Sequence, residues 1–363
     1  MMESAASHTR EVTIYDIAKA LALSPATVSR ALSNHPAVNK NTRKKVVIMA
    51  SDMGYRSNTF ASNLRRQRTN TIGVIVPHLN SYFVSSAIAG MEKVANEAGY
   101  TLLISQSLET ARKEISNAHS LFNSRVDGLL VSLANDTENI DHFEPYFRKG
   151  IPLIFFDRVF QDARCTSIVI DNFKAGYEST AHLISQGCRR IVHLTTALNR
   201  NIYRDRFRGY QMALMENGLA LEEKNLIITN LTKEENRQEA ASQVLAMDPL
   251  PDAIFIANDT GAATCIRAIR DAGLRVPEDI AVVGFNDEPI ARFIEPNLTT
   301  IHNPGYEMGE IAANNLINHL NGMQTIASTN TIILRSDLVV RQSSQAHRQP
   351  EGQQKQDKAN TKT

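Results

Sequence analysis

Apolar residues recur along this chain at two spacings, and the spacing changes near residue 70. Before that point the period is helical. Ile14, Ile17, Ala18 and Leu21 fall on one helix face. Ser24-Pro25 opens a second helix, with Ser24 as N-cap and Pro25 at the first helical position. That helix runs to about Leu32, burying Val28 and Leu32 and turning Thr27, Ser29 and Arg30 outward, until Asn34-His35-Pro36 stops it. A third helix, from about Lys40 to Met53, puts Val46, Val47, Met49 and Ala50 inward and ends at Gly54. Two short helices joined by a tight turn and braced by a third predict a helix-turn-helix domain, whose second helix enters the major groove. A plain three-helix bundle has the same periodicity.

From Thr71 onward short apolar runs alternate with amphipathic helices. The predicted strands include 71–77, 100–105, 126–133, 151–157, 190–196, 226–229, 253–258 and 280–285. The helices between them include 84–98, 111–122, 174–186, 206–217, 234–247 and 261–272. Regular β-α alternation with β-branched strands predicts parallel sheets covered on both faces. The strands are too many for one small sheet, so two side-by-side α/β subdomains are expected.

Charge sharpens the division. The 39 Lys and Arg nearly balance 38 Asp and Glu, but residues 1–70 hold 11 basic against 4 acidic, and the remainder 28 against 34. A compact basic segment on an acidic body is an electrostatic footprint for a polyanion, nucleic acid above all; the bland alternative is a solvated basic arm. Ser57 to Arg68 (SNTFASNLRRQR) has only Phe60, Ala61 and Leu64 as apolar positions. It reads as a segment that becomes helical when docked on DNA, or as a plain interdomain linker.

Several classes are excluded. No run approaches the ~20 apolar residues of a membrane helix, and the N-terminus lacks the core of a secretion signal. Cys165, Cys188 and Cys265 are scattered and odd in number, which fits a reducing cytoplasm and no cysteine zinc site. No GxGxxG, GxxxxGK[ST] or GxSxG occurs, and the ten histidines show no metal spacing, so no cofactor, metal or catalytic residue is expected.

The stretch VTIYDIAKALALSPATVSRALSNHPAVNKNTRKKVVIMASDMGY resembles the DNA-binding headpiece of the LacI/GalR family of bacterial transcription regulators. NTFASNLRRQRTNTIGVIVP then resembles that family's hinge helix leading into its effector-binding core. The likeness covers residues 11–342. It implies a helix-turn-helix headpiece (11–56), a hinge (57–70) and a core like periplasmic sugar-binding proteins (71–342), with crossovers near Asp171, Ile301 and Thr329. Residues 343–363, polar and without aromatics, read as a disordered tail. By the resemblance Pro25, Ala26 and Arg30 face bases, and Ser24, Thr27, Ser29, Asn39 and Asn58 join the DNA contacts. Leu64 matches the leucine that wedges into the minor groove. Arg30 can pair with O6 and N7 of guanine, hydroxyls at a helix start suit phosphate oxygens, and an apolar wedge kinks DNA. Many relatives have proline where this chain has Ser57, which can still cap the hinge.

In open parallel sheets ligands bind beyond the carboxyl ends of the strands. Polar residues following apolar runs are therefore the candidates: Asn80, Tyr82 and Phe83 after the first strand, then Asp157, Asn258 and Asn286, with Arg206 opening a helix. Amides, carboxylates and a guanidinium beside aromatics suit a polyhydroxylated ring. Each has a duller explanation. Asp157 and Asp171 could cap helices, Arg206 could pair with Asp205 or Glu216, and Tyr82 and Phe83 could be core. The resemblance places Arg206, Asp157, Asn258 and Asn286 on effector contacts, with Asn286 replacing a common aspartate. The whole implies a dimeric regulator on a pseudo-palindromic operator in double-stranded DNA, with no membrane partner, controlled by a small effector of carbohydrate type. The alternative is a solute-binding protein or sugar-active enzyme with an incidental basic extension.

Overall fold

The computed structural model describes residues 12–55, 68–323, 325–326 and 330–345. They fall into two units, residues 1–69 and 70–363.

The first unit holds α1 (Ile14–Leu21), α2 (Pro25–Leu32) and α3 (Lys40–Asp52). Local capping sets their starts. Thr13 donates its N–H to the Asp16 carboxylate at 2.8 Å, Ser24 Oγ accepts from Thr27 N at 3.1 Å, and Asn39 Oδ1 accepts from Asn41 N at 2.8 Å. Ile17, Ala18, Val28, Ala31, Val38, Val46 and Ala50 form the core. One expectation fails here: Val47 is 52% exposed, since Val46 and Ala50, four apart, already define the inward face of α3. Leu32 is half-buried and packs against this core.

The second unit runs β1 (Thr71–Val76), α4 (Tyr82–Glu97), β2 (Thr101–Gln106), α5 (Ala111–Asn123), β3 (Gly128–Val131), α6 (Glu144–Arg148), β4 (Leu153–Phe156) and β5 (Thr166–Ile170). It continues with α7 (Asn172–Ser185), β6 (Ile191–Thr195), α8 (Asn201–Glu216), β7 (Leu226–Ile228), α9 (Glu234–Leu245), β8 (Ala253–Ile256), α10 (Asp259–Asp271) and β9 (Ala281–Asn286). Last come α11 (Ile290–Phe293), β10 (Thr299–His302), α12 (Gly305–Leu320), β11 (Thr331–Leu334) and β12 (Leu338–Val339). Two six-stranded sheets result, ordered β11-β5-β4-β3-β1-β2 and β12-β10-β9-β8-β6-β7. The paired strands are parallel except β12, which runs antiparallel to β10. β3, β4, β6 and β8 are buried at every residue, as strands covered on both faces must be.

The chain passes between the two subdomains three times. The first passage is at Asp171, which caps α7 by accepting from Lys174 N at 2.9 Å. The second falls at Asn303-Pro304, beyond Ile301, because β10 extends to His302 before α12 returns to pack on α4. The third is at 335–337 rather than near Thr329: the apolar run Thr331–Leu334 first pairs with β5, and polar Arg335-Ser336-Asp337 then carries the chain across. Residue 329 itself lies outside the described residues. Among elements absent from the sequence-derived candidates, α12 is the longest. Its buried Met308, Ala312 and Leu316 carried the four-residue period that would have revealed it.

The boundary at 342/343 also moves. Ser343 and Ser344 are fully buried. Ser343 Oγ donates to Val282 O at 2.6 Å and accepts from Thr299 N at 2.9 Å. Serine hydroxyls here complete hydrogen bonds that the sheet leaves open, so polar composition was a poor guide to where the core stops.

Candidate functional site

In the first unit, Ser24, Ala26, Arg30 and Asn39 are exposed while Pro25, Thr27 and Ser29 are half-buried. Ser24 and Thr27 hydroxyls lie 2.8 Å apart, so part of their hydrogen-bonding capacity is spent within α2. The Arg30 guanidinium makes no hydrogen bond with any described residue, which leaves its five donors free. Lys40, Lys44 and Lys45 add exposed positive charge on α3. Asn58 and Leu64 lie outside the described residues.

In the second unit, strand ends of both sheets converge on one cavity of about 380 Å³, within the range of small-molecule sites. Asn80, Tyr82, Phe83, Asp157, Arg206, Asn258 and Asn286 all line it. The strand orders explain the convergence: each sheet reverses its winding beside its first strand (β1 or β6), and there the strand ends leave a crevice.

Arg206 is the most constrained of these residues. The helix carrying it starts at Asn201, five residues earlier than the pattern predicts, so Arg206 sits in the second turn of α8 and not at its opening. It is 3% exposed. Its Nε donates to Asn172 Oδ1 at 2.9 Å, one Nη donates to Ala257 O at 3.2 Å, and its guanidinium lies 3.4 Å from the Phe285 ring centroid. The surface pairing with Asp205 or Glu216 does not occur.

Asp157 is 8% exposed, has φ of +58°, and makes no side-chain hydrogen bond among the described residues. It caps no helix. Burial pushes its pKa up, opposed by the Arg158 and Arg206 charges. Burial likewise pushes Arg206 down to about 10, with Asp157 opposing. A carboxylate held out of water without a protein donor is open to hydroxyl donors on a ligand.

Asn258 caps α10, accepting from Gly261 N at 2.7 Å, which leaves its NH2 available. Asn286 has φ of +112°, donates to Glu288 at 3.4 Å and accepts from Asn303 at 3.3 Å. Phe83 is both lining and core, whereas Tyr82 is half-exposed.

Sequence reasoning missed Glu109, Tyr203, Arg237, Glu288 and Asn303 as lining residues. Glu109 follows β2, so the strand-end rule could have found it. Tyr203 and Arg237 lie within helices, where that rule is blind. Arg158 donates to Glu109 at 2.5 Å and to Tyr203 OH at 3.0 Å. Burial works against its charge, but Tyr203 and Glu109 hold its pKa above the ordinary value. Among the described residues no group of three or more His, Cys, Asp or Glu is placed to hold a metal ion.

The chain matches "Bacterial regulatory proteins, lacI family" over residues 13–58 and "Periplasmic binding protein-like domain" over 180–344. It is 31% identical to the HTH-type transcriptional regulator RegA of Clostridium saccharobutylicum over 332 residues, 91% of this chain and 98% of the relative. The chain belongs to the LacI family. The PurR repressor of Photobacterium profundum is 33% identical over 302 residues, 83% of this chain and 89% of that one. A lac repressor dimer solved with operator and the anti-inducer ONPF superposes with a TM-score of 0.81 at 25% identity, covering 93% of this chain and all of that one. This LacI-family protein is a DNA-binding transcriptional regulator, as its relatives are, and not an enzyme. That sets aside the solute-binding and sugar-active alternatives. No described helix is long and apolar enough to cross a membrane.

Two buried groups beneath the regulator's cleft give its stability an opposed pH dependence. His193 on β6 is fully buried among Phe207, Tyr210 and Phe255, and burial pushes its pKa down to about 3. The folded form therefore loses stability as pH falls below 6.5. Asp259, fully buried, accepts from Thr300 Oγ1 at 2.6 Å and Glu288 N at 2.7 Å, and burial raises its pKa to about 7. Its contribution is complete below pH 3.8 and is lost as pH rises through 7. Between about pH 4 and 6.5 the two slopes, each about 1.4 kcal/mol per pH unit, oppose one another. An amide at 259 can accept from Glu288 N and donate to Thr300. Asp259→Asn is therefore expected to make the rise of stability with pH steeper than in the parent by that amount, measured by urea unfolding from pH 4 to 6.5. Equal slopes would show that Asp259 ionises as readily folded as unfolded.

Proposed function

We propose that this regulator is a repressor whose operator affinity is set by a sugar or sugar derivative bound in the cavity between its two core subdomains. The observation that carries the reading is the convergence of Asp157, Arg206, Asn258 and Asn286, from four separate elements, on one cavity of about 380 Å³. An unpartnered carboxylate, a fixed guanidinium and two amides offer complementary partners to a ring of hydroxyls, and Phe83 and Tyr82 offer an apolar face. A solved transcriptional regulator, CelR, is in complex with cellobiose, and it superposes with a TM-score of 0.68 at 26% identity, covering 92% of this chain and all of that one. Binding shifts operator affinity by the ligand's differential affinity for two core states.

The protein works as a homodimer, each headpiece on a half-site of a pseudo-palindrome, with Leu64 of each chain at its centre. One face of α4 is spent on α12, so the dimer also uses the edge strand β2, where Leu103 and Ile104 stand exposed.

A thermal-shift screen of the full chain against monosaccharides, disaccharides, sugar acids and nucleobases tests the effector: a ligand at ~100 times its Kd adds about 2.7 kcal/mol. No shift with any sugar would sink the carbohydrate reading. For DNA, the operator is selected from random duplexes and titrated by anisotropy at ~50 mM salt. Arg30→Ala is expected to lose about 1–3 kcal/mol of affinity and relax the preference at one base pair. Unchanged affinity and preference would remove Arg30 from base readout.

A further inference from the structure

The start of α8 reaches out of its own subdomain at each of several consecutive residues. Asn199 donates its amide to the carbonyl of Asn135, and Arg200 donates its guanidinium to the carbonyl of Thr137. Asn201 accepts from Val159 N–H at 3.0 Å and donates to Asp157 O at 3.0 Å, while Tyr203 OH accepts from Arg158 at 3.0 Å. Every partner belongs to the subdomain built on the first sheet; residues 199–203 belong to the second.

Arg200 sits over a prepared floor. Glu114 of α5 is fully buried and accepts from Ala134 N at 2.6 Å, Thr137 Oγ1 at 3.0 Å and the His142 ring at 3.0 Å. It therefore fixes from below the residue whose carbonyl receives Arg200. Burial lowers the Arg200 pKa, and the nearby Glu114 charge opposes that shift.

The joint is polar and incompletely paired. Asn135 Oδ1, Arg158 Nε and Arg200 Nε are buried without a partner among the described residues. Opening such a joint exchanges protein hydrogen bonds for water and satisfies the orphaned atoms, whereas opening the apolar cores would expose hydrocarbon. A contact of this kind is specific in register and still reversible.

We propose that residues 199–203 form a clasp that holds the two core subdomains closed along one edge of the cleft, with Arg200, seated over Glu114, as its positioning residue. Only its consequence rests on the effector reading: Tyr203 and Arg206 both line the cavity from α8, so a closed clasp fixes the turn that presents Arg206. A broken clasp speeds release of whatever the cleft holds.

Amide exchange in the full-length protein tests this with neither ligand nor operator, so its failure is distinct from failure of the effector screen. The Val159 N–H, bonded to Asn201, reads the clasp directly. In Arg200→Ala its exchange is expected to rise at least tenfold, while the strand amides of Leu130 and Ile254 keep the parent rate. An unchanged Val159 rate overturns the proposal, and so does an equal rise at all three amides, which is what a merely structural role would give. Asn199→Ala, at an exposed position, provides the same reading with a smaller rise if Arg200→Ala folds poorly. Glu114→Gln, which keeps an acceptor but removes the charge beneath Arg200, is expected to raise Val159 exchange less than Arg200→Ala does; no rise there overturns the role of Glu114 as the seat.

Discussion

Arg206→Ala is expected to lower the stability of the core by about 3–5 kcal/mol and to abolish any ligand-induced thermal shift. The size of the effect follows from what the guanidinium leaves behind. Asp157 would lose one of the two cations that oppose its desolvation, and Asn172 Oδ1 and the Ala257 carbonyl would each lose a buried donor. The Phe285 ring would face a void where the guanidinium lay 3.4 Å from its centroid. Out of a total stability of about 5–15 kcal/mol this is a large fraction. Urea unfolding measures the first part; the second is read with a ligand that shifts the parent. Arg206→Lys separates the two, since it keeps the charge beside Asp157 but loses the planar fork. It is expected to fold with a smaller loss and still bind ligand at least tenfold more weakly. A loss within about 1 kcal/mol for Arg206→Ala would contradict the buried pairing, because exposed arginines are removed at that level.

Gly309→Ala is expected to cost about 3 kcal/mol, at the upper end for overpacking, and to lower Tm by roughly 6–12 °C. A Cβ at 309 would stand 1.9 Å from the backbone carbonyl oxygen of Ala87, and one at Gly90 would stand 2.1 Å from that of Tyr306. Both obstacles are helix backbone atoms, Ala87 within α4 and Tyr306 in the first turn of α12, so no side chain can swing away. α4 and α12 would have to separate, loosening Met91, Met308 and Ala312 between them. The strain would also reach the cleft, since the first turn of α12 packs on Phe83 and follows directly on Asn303. Calorimetry of the full chain is the measurement, and an unchanged Tm would mean that the two helices yield without losing their packing.

The DNA-binding half was legible almost residue by residue because its signals are local. Ser24 before Pro25, Asn39 before Lys40, and a four-residue apolar period all act within one or two turns of helix. The same locality explains the error at Val47, where an apolar residue beside the inward face was read as part of it. In the core, the strand-end rule selected six residues and the helix after β6 added Arg206, and the fold brings all seven to one cavity, because parallel βα units expose the same end of each strand. The rule was silent on Tyr203 and Arg237, which reach the cavity from helices, whereas Glu288 and Asn303 follow the ends of β9 and β10 and bond to Asn286 there. It could not foresee that Ser343 and Ser344 complete the hydrogen bonding around Val282 and Thr299.

The sequence by itself determined the two-part organisation, the helix-turn-helix with its exposed Arg30, the alternation that yields two parallel sheets, and which polar residues end strands. Those features depend on neighbours within a few residues, where spacing and capping chemistry decide the outcome. Only the tertiary structure decided which of those polar residues share a cavity, that Arg206 is buried on a ring rather than paired at the surface, that the chain crosses at 335–337, and that residues 199–203 bridge the subdomains. Each of these joins residues tens of positions apart. Desolvation and pairing energies there are set by what the crossings bring together, which local periodicity does not encode.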